Sequence, residues 1–439
     1  MNKIYLIIYF ALALVIGYMS YKKVRNGKDF YIAGKEAGTI QVAGSLLATI
    51  LGSSAILGSI NTAYKDGWAG SWLMICASLG LAVLYPFTKY IREFQGYNLP
   101  GLMCEFYGEE VKKISSLIIA VAWLGVVAAQ IMGAAKILTV LTSMSYTAGV
   151  LISGGVFIVY TLLGGQLSVI KTDFIQLIIM IIGLVATFLF IKSEPITLPV
   201  MPAISERFTT MDLIVMILTY STTFFVGPDI YSRLFCAKDE KTIKRSLIIT
   251  IMVLLQLSYI FARIGIYGMQ VFHNVDIGRE SVLFVIASQK LPGVVAILLY
   301  FALLSAVISS ADTTLLTGAS LLTQVFTKDM DSKKGILMTR IFIAVIGILS
   351  FVITLKMTSI LGTILLALSV YSGAVIVPTV AGMIGYRTHK NVIISVMLIG
   401  GIISLIGKLH GGDIGNYISI SAFVVDILIL LVFRGKKQA

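Results

Sequence analysis

The sequence predicts an all-α polytopic membrane protein, because apolar runs fill almost the whole chain. Hydrophobic residues make up 58% of the 439 residues and charged residues only 13%, and the mean hydropathy is +0.96. A soluble globular chain carries about a quarter charged residues. Apolar runs of about 18 to 28 residues alternate with short charged loops, and each run could cross a bilayer as a helix. We count about thirteen runs, which leave no stretch for a water-soluble domain.

The distribution of basic residues explains the formal net charge of +13. If the N-terminus lies outside, 24 of the 34 Lys and Arg residues fall on one side of the membrane and eight on the other. The positive-inside rule then predicts a plasma-membrane protein with its N-terminus outside and its C-terminus in the cytoplasm. The charge therefore indicates topology in a lipid bilayer rather than a nucleic-acid partner.

The N-terminal and C-terminal runs are both interpreted as membrane helices. Residues 4–18 resemble a signal peptide in length, but the positive cluster follows the apolar run and no small-residue cleavage site is present. We therefore expect a retained first span. The last two runs look peripheral, and we expect them to lack a mid-helix carboxylate.

The most informative stretch is 300–318, an apolar segment that carries six Ser and Thr hydroxyls and one carboxylate. On a helix, Ala306, Ser309, Ser310 and Thr313 share one face, because they occur at i, i+3, i+4 and i+7. Asp312 lies roughly 60° round the helix from Ser309. This pattern predicts half of a cation site, although small residues for close helix packing would produce it equally well.

Two membrane segments are predicted to be interrupted. Within the span 39–60, residues 41–58 contain three glycines and four hydroxyl side chains, which favour a break near Gly52 and Ser53; a glycine packing face is the alternative. The segment 211–235 contains Gly227 and Pro228, and proline removes a backbone donor and clashes with the preceding turn. Paired interruptions five spans apart point to the substrate site of a transporter.

Other polar side chains at membrane depth each allow two interpretations. Gln130 either contacts a solute or makes an interhelical hydrogen bond. Asp173 is either a functional carboxylate or a helix-entry residue paired with Lys171. Asp229 and Arg233 form an i, i+4 pair that would neutralise itself near the cytoplasmic end.

Two loops also carry expectations. The outer loop 273–290 is long enough for a short lid helix, and a tight turn is expected at 357–359. The chain has three cysteines, but their spacing gives no disulfide or metal pattern. The three histidines lie in loops, so we expect neither haem nor zinc and no cofactor.

Four motifs carry a resemblance to a known family. They are Asp29-Phe-Tyr-Ile-Ala-Gly-Lys35, the run from Leu163 to Gln176, the run from Gly227 to Asp239 and Leu304-Ser-Ala-Val-Ile-Ser-Ser-Ala-Asp312. With them, residues 3–434 resemble the sodium:solute symporters, whose members include the proline and pantothenate permeases.

The resemblance implies a leucine-transporter-like core of two inverted five-helix repeats. On this chain the repeats are residues 39–192 and 211–386, joined by an outer loop at 193–210. An extra N-terminal helix with its loop occupies 1–38. Two peripheral helices and a short tail occupy 387–439.

The resemblance also implies a sodium site between the broken first core helix and the eighth. Its ligands would be the carbonyls of Ala48, Leu51 and Ala306 and the hydroxyls of Ser309 and Ser310. A hard cation takes oxygen ligands, and a mostly neutral cage binds it weakly enough for release. Some members hold a second sodium near the aspartate that matches Asp173.

The expected solute pocket is small and weakly polar. It is formed by Ser53, Ser54, Trp123, Gln130, Gly227, Pro228 and Tyr371. Where the sugar transporters have polar residues after the helix break, this chain has Ser53, Ser54 and Ala55. The first core helix also lacks the carboxylate of the proline permease. A small amino acid, carboxylate or similar metabolite is therefore expected rather than a sugar.

These features together predict sodium-coupled uptake of a small organic solute by alternating access. Proton coupling through Asp173, Asp312 or Asp229 is an alternative, and it would make uptake depend on pH instead of sodium. A solute-sensing receptor is a third possibility, but only residues 434–439 follow the last span. An enzyme is not expected, since the spans offer no paired carboxylates at catalytic spacing, no metal cluster and no nucleophile beside a histidine.

Overall fold

The chain folds as a bundle of helices with the dimensions of a membrane protein. The computed structural model describes residues 3–94, 96–195, 197–273, 281–327, 329–357 and 360–433. Within them, ten helical stretches are long and apolar enough to span a membrane. The predicted crossings correspond to these stretches and to the shorter apolar helices Tyr9–Tyr21 and Thr39–Ile50. One further crossing arises because a long helix is bent at Gly165 and counts as two spans.

The helices follow one another with short connections. In chain order they are α1 Lys3–Tyr21, α2 Gly27–Ile32, α3 Thr39–Ile50, α4 Ser53–Asp66, α5 Trp72–Leu84, α6 Thr88–Glu93, α7 Leu99–Tyr107, α8 Glu109–Thr142, α9 Tyr146–Ile191, α10 Thr210–Met216, α11 Thr222–Phe225, α12 Pro228–Leu234, α13 Glu240–Val271, α14 Val282–Gln289, α15 Gly293–Phe326, α16 Lys333–Lys356, α17 Ile360–Met383, α18 Lys390–His410 and α19 Gly412–Val432.

Side-chain caps fix where several of these helices begin. Ser145 accepts a hydrogen bond from the Ala148 amide at 3.2 Å at the start of α9. Asp239 accepts one from the Thr242 amide at 2.6 Å at the start of α13. Each cap satisfies an amide that has no partner within its helix.

Helix α9 contains 46 residues and is bent at Gly165, where φ is 54° and ψ is −153°. A straight helix of that length would measure about 69 Å, roughly twice the hydrocarbon thickness of a bilayer. The bend therefore divides α9 into two spans at the turn that the sequence predicts. A Cβ at Gly165 would lie 2.6 Å from the Phe30 carbonyl oxygen, so the turn requires glycine both for its backbone angles and for space.

Both predicted interruptions are present. Helix α3 ends at Ile50 and α4 begins at Ser53, with Gly52 extended at φ −55° and ψ 158° between them. Helix α11 ends at Phe225, and α12 begins at Pro228 after an extended Gly227 with φ −64° and ψ 123°. The short helix predicted in the outer loop is α14. Residues 274–280 of that loop, and residues 358–359 of the predicted turn, lie outside the described residues.

Helix α15 lies at the centre of the bundle and packs against α3, α8, α9 and α16. Helices α18 and α19 pack on each other and on α17, at the edge. The expectation that these last two helices lack a mid-helix carboxylate is wrong. Asp426 of α19 is fully buried, and its carboxylate lies against Gly400 of α18.

We predict that Gly165→Ala lowers the free energy of unfolding by about 1 to 3 kcal/mol, because alanine is strained at these backbone angles. Thermal unfolding of the purified protein measures the loss. The matched control is Gly155→Ala in the same helix, where an added Cβ meets nothing within 4 Å. Equal midpoints for the two variants would show that the bend does not depend on Gly165.

Candidate ion and solute site

The break between α3 and α4 lies directly against α15. Ser310 Oγ of α15 lies 3.4 Å from the Thr49 carbonyl oxygen, in hydrogen-bond contact. A Cβ added at Gly52 would come within 2.6 Å of Ser310 Oγ. Glycine at the break therefore permits the close approach of the two elements that the predicted sodium site requires.

The five predicted sodium ligands are all buried near this contact. Ala48, Leu51, Ala306 and Ser309 are fully inaccessible, and Ser310 is 5% exposed. Among the described residues, no backbone hydrogen bond outside the helices ends on the carbonyl oxygen of Ala48 or Leu51. A helix end leaves such carbonyls without partners, so these oxygens are available to a cation.

A buried ion pair lies beside these residues. Arg233 Nη2 of α12 is 3.2 Å from Asp173 Oδ2 of α9, and both side chains are fully buried. Ser309 Oγ donates to Asp173 Oδ1 at 2.5 Å, and Ser45 Oγ of α3 donates to Asp173 Oδ2. Both carboxylate oxygens thus have donors, as a charge at membrane depth requires.

The guanidinium of Arg233 is also fully engaged. It donates from Nε to the Ser45 carbonyl at 3.2 Å, and from Nη1 to the Asp229 carbonyl and to Ser232 Oγ, each at 3.2 Å. Nη2 contacts Thr313 Oγ1 as well as Asp173. Arg233 therefore holds α3, α9, α12 and α15 to one another.

These contacts correct two expectations. Arg233 pairs with Asp173 rather than with the carboxylate of Asp229, because the side chain extends towards α9 and meets only the main-chain oxygen of Asp229. Lys171 forms no ion pair with Asp173 among the described residues; the partner of Asp173 comes from the second half of the chain.

The predicted pocket residues fall into two groups. Trp123 and Tyr371 form an edge-to-face ring pair with centroids 5.2 Å apart, and Tyr371 Oη donates to the Val226 carbonyl at 2.5 Å. Gly227 and Pro228 are buried next to that carbonyl. The second group is an interhelical contact in which Ser53 Oγ donates to Gln130 Oε1 at 3.4 Å. Ser54 is half-buried on the first turn of α4.

Sequence reasoning missed Ser45 as a member of this site and missed the contact between Asp229 and Trp123. Ser45 was visible as one of the hydroxyls of the broken helix, but its contact with Asp173 joins residues far apart in the chain. The carboxylate of Asp229 accepts a hydrogen bond from Trp123 Nε1 at 3.1 Å. No local pattern links Asp229 with Trp123.

Comparison with known proteins assigns the family. The model of the "Sodium:solute symporter family" matches residues 30–400. The chain belongs to this family.

Relatives of this symporter are transporters. It is 28% identical to "Sodium/proline symporter 2" of Staphylococcus saprophyticus over 74% of this chain and 68% of the relative. It is 24% identical to "High-affinity proline transporter PutP" of Bacillus subtilis over 80% of each chain. It is 22% identical to the sodium/proline symporter of Escherichia coli over 96% of this chain and 90% of the relative.

The fold agrees with the family. A solved Na+-coupled sialic acid symporter superposes with a TM-score of 0.82 over 99% of this chain and 98% of the other, at 19% identity. The closed form of Mhp1, a nucleobase-cation-symport-1 family transporter, superposes with a TM-score of 0.60, covering 93% of this chain and 96% of the other at 14% identity. The predicted all-helical fold with a leucine-transporter-like core is confirmed, and the protein is a multi-pass membrane symporter that imports a solute with sodium rather than an enzyme.

A narrow cleft lies among α2, α9, α12, α15 and the loop that precedes α7. Its lining residues are Tyr31, Tyr97, Asn98, Gln166, Pro228, Ser232, Leu316, Thr317 and Ser320. Asn98 Oδ1 accepts from the Gly101 amide at 3.0 Å, while its Nδ2 is buried without a hydrogen-bond partner among the described residues. The cleft is therefore partly polar and lies beside the helix break at Gly227 and Pro228.

We predict that Arg233→Ala lowers the free energy of unfolding by about 3 to 5 kcal/mol, because it leaves the buried Asp173 carboxylate without its cation. Replacing both partners, as Arg233→Met with Asp173→Leu, should cost less than the single change. Detergent-solubilised protein unfolded by heat or denaturant gives both values.

The matched control is the exposed pair between Lys390 and Glu110, whose atoms are 2.6 Å apart. Lys390→Ala should cost less than about 1 kcal/mol, since water and salt screen a surface pair. If Arg233→Ala were as mild as Lys390→Ala, the buried pair would not be a structural constraint.

Proposed function

We propose that this symporter carries its coupling sodium ion at the carbonyls of Ala48, Leu51 and Ala306 and the hydroxyls of Ser309 and Ser310. The observation that carries the proposal is the contact between Ser310 and the Thr49 carbonyl across the helix break. It brings α15 against a segment whose carbonyls are released from helical hydrogen bonding.

Sodium at this position bridges two elements that must separate when the site opens to the other side of the membrane. The ion therefore favours the state in which α3, α4 and α15 remain together. Solute binding to that same state makes each ligand tighten the binding of the other, by about 1 to 3 kcal/mol. The downhill movement of sodium then drives uphill movement of the solute.

The surroundings of Asp173 support one sodium rather than two. A second ion near this carboxylate would share it with the guanidinium of Arg233, which lies 3.2 Å away. It would also compete with the donated hydrogen bonds of Ser45 and Ser309. We assign Asp173 to holding α9, α12 and α15 in register, and we expect Asp173→Asn to weaken sodium binding less than Ser310→Ala does.

We propose a small organic solute, an amino acid or a carboxylate, between the ring pair of Trp123 and Tyr371 and the break at Gly227 and Pro228. The relatives that carry the name of proline transporters support a substrate of this size.

We further propose that the core consists of two inverted repeats, residues 39–192 and 211–386. In the plasma-membrane bilayer the N-terminus lies outside and the C-terminus in the cytoplasm, and the chain has no nucleic-acid partner.

We predict that Ser310→Ala raises the sodium concentration for half-maximal stabilisation at least about fivefold, which corresponds to about 1 kcal/mol for one lost ligand. The measurement is the thermal midpoint of the purified symporter in sodium chloride, with potassium chloride at matched ionic strength as the reference. The control is Ser350→Ala, since Ser350 donates to the Leu124 carbonyl at 3.0 Å outside the cage.

An unchanged sodium response in Ser310→Ala would remove this serine from the site. If sodium and potassium stabilised the wild-type protein equally while its stability followed pH, the oxygen cage would be a packing face. Proton coupling would then replace the proposal.

A further inference from the structure

The carboxylate of Asp229 lies at the helix break without a direct ion-pair partner among the described residues. None of the ion pairs among the described residues includes it. The nearby Arg233 gives Asp229 one hydrogen bond, and that bond goes to its main-chain oxygen. The side chain of Asp229 thus lacks the direct contact with the guanidinium that Asp173 has.

The groups around the Asp229 carboxylate are neutral hydrogen-bond partners. Trp123 Nε1 donates to Oδ1 at 3.1 Å, and the Thr317 hydroxyl also faces the carboxylate. Tyr371, the ring partner of Trp123, lies close enough to interact with its charge. These contacts orient the carboxylate but supply no direct ion pair, and a half-buried carboxylate without one is costly.

The carboxylate also lies beside the cleft. Pro228 and Ser232, which line the cleft, are close to Asp229 in the chain, and Thr317, which also lines it, faces the Asp229 carboxylate. The ring pair of Trp123 and Tyr371 borders the same position. A ligand between the rings and the break would meet the carboxylate and two aromatic groups together.

We propose that Asp229 binds the protonated amino group of the transported solute, so that the substrates are small amino acids or amines. This inference rests on the proposed solute pocket and specifies its ligand. An ammonium group forms a charge-assisted hydrogen bond with a carboxylate and is attracted to the faces of Trp and Tyr rings. A solute without a positive charge would leave the Asp229 carboxylate without a direct ion-pair partner.

A structural role for Asp229 makes a different prediction. An acidic residue in the first turn of α12 would stabilise the start of that helix through its dipole. In that case its removal would lower the stability of the protein equally with every ligand. If Asp229 binds the substrate, its removal instead lowers the affinity only for ligands that carry an amine.

The test is a binding panel on the purified full-length symporter in sodium chloride. The probes are the twenty standard amino acids, small amines, and matched acids without the amine, such as tetrahydrofuran-2-carboxylate beside L-proline and propionate beside L-alanine. Thermal stabilisation identifies the binders, and titration calorimetry gives their affinities. We expect every stabilising solute to carry a protonated amine.

Asp229→Asn should weaken the binding of such a solute at least about 30-fold, as loss of a close charge pair does. Its stabilisation by sodium alone should match the wild type. The matched control is Asp426→Asn, another buried acid changed to its amide but located at the α18–α19 edge, and it should bind the solute normally.

The inference is overturned if an amine-free solute stabilises the wild type, if no probe in the panel does, or if Asp229→Asn binds the amine normally. If Asp229→Asn does not fold, the binding panel on the wild type alone tests the inference, by showing whether every solute that binds carries a protonated amine. Failure of the proposed function has a separate signature, because the wild type would then show no stabilisation by sodium over potassium.

Discussion

The buried pair between Asp173 and Arg233 is the constraint on which the site depends. Neither charge is tolerable alone at membrane depth, so the two helices that carry them have to meet. Ser45 and Ser309 complete the hydrogen bonds of the carboxylate, and each belongs to one side of the proposed sodium cage. The network that satisfies two buried charges therefore also sets the relative position of the cage oxygens. Disturbing the pair would change ion affinity although neither Asp173 nor Arg233 is a proposed ion ligand.

The close approaches of helices in this protein depend on glycine at particular positions. Added Cβ atoms would lie 2.5 Å from the Leu298 carbonyl at Gly183 and 2.4 Å from the Ile60 carbonyl at Gly265. Without water to drive helices together, packing of this kind is a principal source of stability in a membrane. The same principle at Gly52 has a functional result, because it brings a helix break against α15.

Structural features that depend on residues close together in the chain could be predicted from the sequence. The apolar runs, the turn at Gly165 and the two interruptions follow from composition, backbone freedom and the missing donor of proline. The pairing of Arg233 could not be predicted, because Asp229 is the nearer carboxylate in the chain and only the three-dimensional arrangement selects Asp173. The contact between Trp123 and Asp229 likewise joins distant segments. Asp426 is different, because its position within the last apolar run can be seen from the sequence alone.

The N-terminal helix makes a contact with consequences for biogenesis. Tyr9 Oη of α1 and Ser305 Oγ of α15 are 2.8 Å apart, although nearly three hundred residues separate them in the chain. During synthesis α1 enters the lipid early, and its hydroxyl cannot reach this partner until the ribosome has made residue 305. Helix α1 can pack on α9 before that point, but its hydrogen bond to the central helix forms only after α15 has been made. Insertion of α15 therefore adds a polar contact to a helix that is already packed.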